Sequence, residues 1–253
     1  IDTAYPYHGG QSEVVTALAL ADGYREKVKL VTKLPTWMVT CEADVDRLLD
    51  EQIARLGGTF IDIYLIHNVS RGGWPTIQEC NIVGRLEAAK AAGKIGAIGF
   101  SFHDDFELLK EVVDSYDWDV AQIQYNYMNE NVQSGTAGLE YAASKGLAVV
   151  IMEPLLGGCL VDTPPPVNEI LAEGSVERTP ADWALQWLWN KPEVATVLSG
   201  MSAMEHVDEN VASAASSGVG SLSEADVDVM RRAAETYQAL TPIPCTRCRY
   251  CMP

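Results

Sequence analysis

Short runs of aliphatic and β-branched residues alternate with longer segments of helical periodicity throughout this chain. The runs predict six strands, at Lys29–Leu34, Ile61–His67, Ile95–Phe100, Val120–Tyr125, Leu147–Met152 and Ala195–Leu198. Near-continuous apolar strands joined by helices are typical of a parallel sheet that is covered on its faces. The segment around Trp183 and Trp187 predicts a helix that is buried on more than one side, and Pro164–Pro166 predicts a surface loop.

Two parallel architectures fit this alternation. A closed (β/α)8 barrel, the TIM barrel, needs eight strands, and Ile1-Asp2 looks like the remnant of a seventh. A doubly wound open sheet is the alternative, but no G-x-G-x-x-G follows an early strand, which weakens its dinucleotide-binding version. We therefore expect an α/β barrel over residues 1–240 whose first βα unit is missing from this chain, followed by a short cysteine-rich C-terminal tail over residues 241–253.

The charge balance excludes two classes of partner. Lys and Arg number 18 against 35 Asp and Glu, which gives a net charge of −17 over 253 residues. Such an excess of negative charge opposes a phosphate backbone and an anionic membrane surface, so we expect neither nucleic-acid nor membrane binding. No apolar run approaches the roughly 18 residues that a membrane-spanning helix needs, and no signal peptide is evident, which predicts a cytoplasmic protein.

Polar residues close three successive predicted strands. Asp2 and Tyr7 flank the first loop, Lys33 follows the second strand, and His67 ends the third. Taken singly, each has a structural explanation: a turn cap, a solvated rim charge or a satisfied core histidine. A barrel would bring them together, because the carboxyl ends of parallel strands meet at one face. Together they form a coherent acid catalyst, in which an ammonium stabilises a phenolate and a carboxylate holds the ammonium. An imidazole would orient the substrate oxygen and help to protonate it.

An ordered set of motifs resembles the aldo/keto reductases. Residues 2–13 read DTAYPYHGGQSE, similar to the D-T-A-x-x-Y…G…S-E signature of that family. Further similar segments follow in family order, at Val31–Lys33, Asp62–His67, Gly93–Ser101, Gln122–Asn126 and Leu198–Asn210. The resemblance covers nearly the whole chain. It implies a (β/α)8 barrel that reduces aldehydes or ketones to alcohols by hydride transfer from NADPH.

The resemblance also implies the role of each catalytic residue. Tyr7 would donate the proton, Lys33 would stabilise its phenolate, Asp2 would pair with Lys33, and His67 would orient the carbonyl. Tyr5 is a rival phenol, but the family spacing favours Tyr7.

Cofactor-binding residues are carried over in the same way. Ser101 and Gln122 would hold the nicotinamide amide, although Gln122 could instead be an interior polar residue bonded to a neighbouring strand. Further residues are expected beside the nicotinamide, at Glu153, Pro154 and Leu155, and along the adenosine and its phosphates, at Gly200, Met201, Ser202, Glu209 and Asn210. The sequence departs from the family at Phe102, where Asn is usual, and in the late loop, which lacks the cations that often hold the 2′-phosphate. The resemblance implies NADP(H) as the cofactor, and the missing cations leave NAD(H) as the alternative.

Three cysteines crowd the end of the chain. Cys245, Cys248 and Cys251 match the start of the bacterial ferredoxin run C-x₂-C-x₂-C-x₃-C-P. Zinc and unmetallated thiols are the competing interpretations. One subgroup of aldo/keto reductases is similar, with a MEPL strand followed by a C-terminal ferredoxin-like segment. This resemblance implies a [4Fe–4S] cluster in the full-length protein, whose chain would extend beyond Pro253.

Two other functions fit the same residues. One is an iron–sulfur-linked electron-transfer oxidoreductase with an electron-transfer partner in place of direct reduction of a small carbonyl substrate. The other is a non-catalytic redox sensor that binds the nicotinamide cofactor.

Overall fold

The computed structural model describes residues 1–240. The predicted metal ligands Cys245, Cys248 and Cys251 lie outside these described residues. Within residues 1–240, every helix is too short or too polar to cross a lipid bilayer.

The described chain divides into two compact units. The first comprises Ile1–Gln124, Asn131–Met152 and Glu193–Leu198. The second comprises Tyr125–Glu130, Glu153–Pro192 and the described residues from Ser199 onward.

A parallel sheet of six strands in sequential order forms the centre of the first unit. Its strands are β1 (Val31–Leu34), β2 (Ile61–Val69), β3 (Ile95–Phe102), β4 (Val120–Gln124), β5 (Ala148–Met152) and β6 (Val194–Val197). Asp2 adds a parallel bridge to Val31 beyond β1. All six predicted strands are therefore confirmed, with ends that differ by two residues or fewer.

Helices connect the strands of the first unit, and the longer ones such as Glu42–Arg55 and Phe106–Ser115 bury apolar residues on one face. They are α1 (Tyr7–Gly10), α2 (Ser12–Ala19), α3 (Glu42–Arg55), α4 (Trp74–Glu79), α5 (Ile82–Ala91), α6 (Phe106–Ser115) and α7 (Gly135–Ser144). In α3, the buried residues Val45, Leu48 and Leu49 show the spacing of an amphipathic helix. Asp105 caps α6 by accepting a hydrogen bond from the Leu108 N–H at 2.9 Å.

The second unit contains four helices among its described residues, α8 (Pro165–Leu171), α9 (Pro180–Trp189), α10 (Met204–Ala215) and α11 (Glu224–Leu240). The predicted burial of α9 on several sides is confirmed, because every residue from Ala181 to Leu188 except Asp182 is buried. The loop predicted at Pro164–Pro166 is wrong, since α8 begins at Pro165. Proline is accepted in the first helical turn, where its missing N–H would have no intrahelical partner.

Candidate active site

Lys33 is the residue at which the predicted catalytic groups meet. It lies on β1 and is 1% exposed. Its Nζ donates to Asp2 Oδ1 at 2.5 Å, to the Thr3 carbonyl at 2.9 Å and to Tyr7 Oη at 3.3 Å. All three ammonium protons therefore have acceptors, and the Asp2 carboxylate compensates a buried charge that would otherwise be costly.

The Tyr7 phenol is the one that the structure brings to Lys33. Its side chain is 38% exposed, and Lys33 Nζ lies 4.8 Å from its ring centre. Tyr5 instead donates to Glu51 Oε1 at 2.8 Å on α3. The arrangement leaves the Tyr7 hydroxyl at the surface of the cluster, where a substrate oxygen can reach it.

His67 stands beside Tyr7 as a neutral imidazole. The two rings meet edge to face, with centres 5.9 Å apart. Burial, the Lys33 charge and His103 lower the pKa of His67 to about 3, so the ring carries no charge at neutral pH. Its Nδ1 is buried and has no hydrogen-bond partner within residues 1–240. A neutral ring can orient a substrate oxygen by hydrogen bonding, but it is not an acid at neutral pH.

An exposed tryptophan, which the sequence analysis missed, completes the aromatic surroundings of His67. Trp37 follows β1 and is 55% exposed, and its ring centre lies 5.2 Å from that of His67. Thr36 fixes this segment by donating its hydroxyl to the His67 carbonyl at 2.9 Å. The available signal was the position of a large aromatic residue just beyond the Lys33 strand, where loop residues line a barrel site.

Gln122 joins the cluster from β4. Its Nε2 donates to Asp2 Oδ2 at 2.9 Å, so the two oxygens of Asp2 bind Lys33 and Gln122. The strands β1, β2 and β3 separate the Asp2 bridge from β4 in the sheet. The bond therefore crosses the interior of a strongly curled sheet.

Ser101 is the register partner of Gln122 on β3. Both side chains are buried. Ser101 Oγ accepts a hydrogen bond from the Asn68 N–H at 2.8 Å, which leaves the hydroxyl proton available for a further acceptor.

The remaining predicted cofactor residues belong to the second unit. Glu153 is exposed with a φ of 57°, Pro154 is buried, and Leu155 is half-buried. The Asn126 amide donates to the Glu153 carbonyl at 2.9 Å and so holds the segment that follows β5.

The late loop and the start of α10 carry only negative charge. Gly200, Met201, Ser202 and Glu209 are exposed, and Asn210 donates to Ser199 Oγ at 3.0 Å. Residues 199–216 include three acidic side chains, Glu205, Asp208 and Glu209, and neither Lys nor Arg. A phosphate bound along this loop would have backbone and hydroxyl groups as donors, but no cationic side chain of the loop itself.

Comparison with known proteins identifies the relatives of this chain. The model of the Aldo/keto reductase family matches residues 1–235. The NADH-specific methylglyoxal reductase of Escherichia coli is 26% identical over 289 aligned residues, which cover 94% of this chain and 84% of the relative. An aldo-keto reductase of Mycobacterium avium is 31% identical, over 83% of this chain and 69% of the relative.

A solved structure gives the same result at the level of the fold. The aldo-keto reductase from Klebsiella pneumoniae in complex with NADPH superposes with a TM-score of 0.75 at 26% identity. The match covers 94% of this chain and 79% of that chain.

Proposed function

The chain belongs to the aldo/keto reductase family of enzymes, and from that premise we propose that it reduces an aldehyde or ketone to an alcohol with Tyr7 as the proton donor. The observation that carries the proposal is the 3.3 Å separation of Tyr7 Oη from a buried ammonium that is itself paired with Asp2. The architecture proposed for the complete fold is the (β/α)8 barrel, with which the six-stranded parallel sheet is consistent.

The residues of the cluster divide the chemistry between them. A nicotinamide dinucleotide, held at its carboxamide by Ser101 and Gln122, would supply a hydride, that is, one proton with two electrons, for the carbonyl carbon. Tyr7 gives its hydroxyl proton to the carbonyl oxygen, which completes the alcohol. Lys33 stabilises the negative charge left on Tyr7 Oη, and Asp2 holds the ammonium in place. His67 orients the carbonyl oxygen as a neutral hydrogen-bonding group.

Gln122 and Ser101 fit the carboxamide of a nicotinamide ring. The Nε2 of Gln122 is engaged by Asp2, so its Oε1 is the atom that would accept a hydrogen bond from a carboxamide N–H. The hydroxyl proton of Ser101 can be donated to the carboxamide oxygen. Two buried groups of opposite hydrogen-bonding character on neighbouring strands thus match the two ends of an amide.

The charge of the late loop favours NADH over NADPH. The two cofactors differ by a phosphate on the ribose 2′-oxygen, which carries between one and two negative charges at neutral pH. Glu205, Asp208 and Glu209 would repel that group, and residues 199–216 supply no cation to bind it. One relative is named as NADH-specific, whereas another was solved with NADPH. Titration of the protein with each cofactor, followed by its fluorescence, is expected to give a lower Kd for NADH; equal or lower Kd for NADPH would contradict the assignment.

Isotope transfer tests the proposed reaction directly. We propose methylglyoxal as the test carbonyl, because one relative is named for its reduction. NADH deuterated at the transferable position of the nicotinamide is mixed with the protein and methylglyoxal, and the product is examined by NMR. The expected product carries deuterium on the former carbonyl carbon. Its oxygen-bound proton comes from solvent through Tyr7. Cofactor that binds but never transfers its deuterium would favour the sensor over the reductase.

We also propose, from the spacing of Cys245, Cys248 and Cys251 alone, that the C-terminal segment supplies three of the ligands of a [4Fe–4S] cluster. Anaerobic purification followed by analysis of iron, zinc and acid-labile sulfide tests this. Equimolar iron and sulfide support the cluster, whereas zinc or metal-free thiols overturn it. A cluster whose reduction depends on bound cofactor would support the electron-transfer function.

A further inference from the structure

Residues 5–10, which form the Tyr7 loop, have an unusual backbone, because the single turn α1 within them is not a regular helix. Three consecutive residues, His8, Gly9 and Gly10, have φ values of 51°, 62° and 82°. Glycine adopts this left-handed region readily, but a residue with a side chain such as His8 does so at a cost. Such a conformation persists only when the surrounding structure holds it, so the contacts of this loop decide where Tyr7 lies.

Arg55, the last residue of α3, contacts the Tyr7 loop at two points. Its Nη2 donates a hydrogen bond to the Gly10 carbonyl, and its guanidinium lies 4.4 Å from the centre of the Tyr5 ring. Its Nε lies 3.2 Å from Glu13 Oε2. Arg55 therefore fixes the loop on both sides of Tyr7, at Tyr5 and at Gly10.

Glu13 connects Arg55 to the strand that carries Lys33. Its carboxylate is fully buried, and its Oε1 accepts from Gln52 Nε2 at 2.6 Å and from Thr32 Oγ1 at 2.7 Å. Gln52 Nε2 also donates to the Lys33 carbonyl at 3.0 Å. One buried network thus joins the backbone that presents Tyr7 to the backbone that presents Lys33.

We propose that Arg55, anchored by Glu13, is a positioning residue that sets the Tyr7 hydroxyl beside Lys33 Nζ. This inference rests on the proposed role of Tyr7 as the proton donor. Arg55 makes no contact with Lys33 Nζ or with the Tyr7 hydroxyl among the described residues, so it acts through the loop. Without the Arg55 side chain, the Tyr7 loop leaves its left-handed conformation and the Tyr7 hydroxyl moves away from Lys33 Nζ.

Arg55→Ala is the direct test, with Arg85→Ala as the matched control. Arg85 also forms an ion pair with a carboxylate of α3, Asp46, at 2.5 Å, but it does not contact the Tyr7 loop. For Arg55→Ala we expect kcat with methylglyoxal to fall about 10²-fold, the size of effect that a misplacement near 1 Å produces, with the Kd of the cofactor unchanged. Added guanidinium ion at millimolar concentration should restore part of kcat, because it can occupy the vacated site. A general loss of folding would not be repaired by a denaturing ion.

A double-mutant cycle with Tyr7→Phe shows whether Arg55 acts through Tyr7. The Tyr7→Phe/Arg55→Ala protein is expected to be as slow as Tyr7→Phe alone. A further 10²-fold loss in the double mutant, or full activity of Arg55→Ala, would overturn the inference. If Arg55→Ala does not fold, Arg55→Lys carries the test, because a single ammonium can keep the Glu13 ion pair but cannot also bond the Gly10 carbonyl through a planar fork. Wild-type turnover in Tyr7→Phe itself would instead reject the proposed function, and the inference with it.

Discussion

Replacing Lys33 by Met removes the charge on which the proposed chemistry depends while keeping the side-chain volume. Lys33 is 1% exposed, so a truncation to Ala would leave a cavity and confuse stability with catalysis. Methionine is unbranched and apolar, and it fills the space of the lysine stem. Asp2 also accepts a hydrogen bond from Gln122 at 2.9 Å, which the substitution does not remove.

The separation of the two charged atoms sets the size of the effect. A full negative charge on Tyr7 Oη, 3.3 Å from Lys33 Nζ, interacts with the ammonium by about 5 kcal/mol at an effective dielectric constant near 20 and by about 1.3 kcal/mol in bulk water. Tyr7 is 38% exposed, so an intermediate value of about 2.5 kcal/mol is appropriate, at a dielectric constant near 40. That energy corresponds to a fall in kcat of about 70-fold.

The assay follows the absorbance of NADH during methylglyoxal reduction at saturating cofactor. Lys29→Met is the matched control, because Lys29 also pairs with an aspartate, Asp62, at 2.9 Å, yet is exposed. The reasoning is refuted if Lys33→Met retains the kcat of the control, or if its whole loss appears in the Kd of the cofactor.

Three other predictions follow from the described residues. The pKa of His67 is about 3 in the folded state against an ordinary 6.5, so between these pH values the unfolded chain binds a proton that the folded chain does not. The contribution of His67 to the free energy of unfolding is therefore complete above pH 6.5 and is lost as the pH falls toward 3, by about 2 kcal/mol at pH 5. Denaturant unfolding of His67→Gln should lack this contribution. Gly99→Ala would place a Cβ against the Val120 carbonyl and 2.8 Å from Leu65 Cδ2, at a cost of about 3 kcal/mol in denaturant unfolding, whereas Gly72→Ala, with open space around it, should change stability by less than about 0.5 kcal/mol. Glu205→Lys should lower the Kd of NADPH about fivefold relative to NADH, since the change of two charge units near a phosphate contributes about 1 kcal/mol in total at an exposed site; an unchanged ratio would place Glu205 away from the 2′-phosphate.

The elements of the sheet and the four residues of the proposed catalytic quartet were predictable because each depends on local patterns. Nearly continuous apolar runs, without polar residues at every second position, predict buried parallel strands. The polar residues at the ends of these runs are visible without a structure. The structure brings Asp2, Tyr7, Lys33 and His67 together, which follows from strand order alone once the sheet is parallel. The start of α8 was mispredicted because a proline run that ends one element can equally begin a helix.

The contacts that position the quartet were not predictable, since they join distant parts of the chain. Gln122 reaches Asp2 across 120 residues of sequence, and nothing local to Gln122 distinguishes this bond from one to a neighbouring strand. Arg55 resembles any charged residue at the end of an amphipathic helix, and its bond to the Gly10 carbonyl depends on how α3 packs. The neutral state of His67 likewise depends on burial and on the nearby Lys33 charge.

The most direct test of the account compares Tyr7→Phe with Tyr5→Phe. The two residues lie on the same loop. The Tyr7 hydroxyl accepts a hydrogen bond from Lys33, whereas the Tyr5 hydroxyl donates one to Glu51. Loss of a general acid is expected to lower kcat for methylglyoxal by about 10²–10⁴-fold in Tyr7→Phe, with NADH still bound at the wild-type Kd, while Tyr5→Phe keeps most of its activity. Undiminished turnover in Tyr7→Phe, or an equal loss in both variants, would contradict the assignment of Tyr7 as the proton donor.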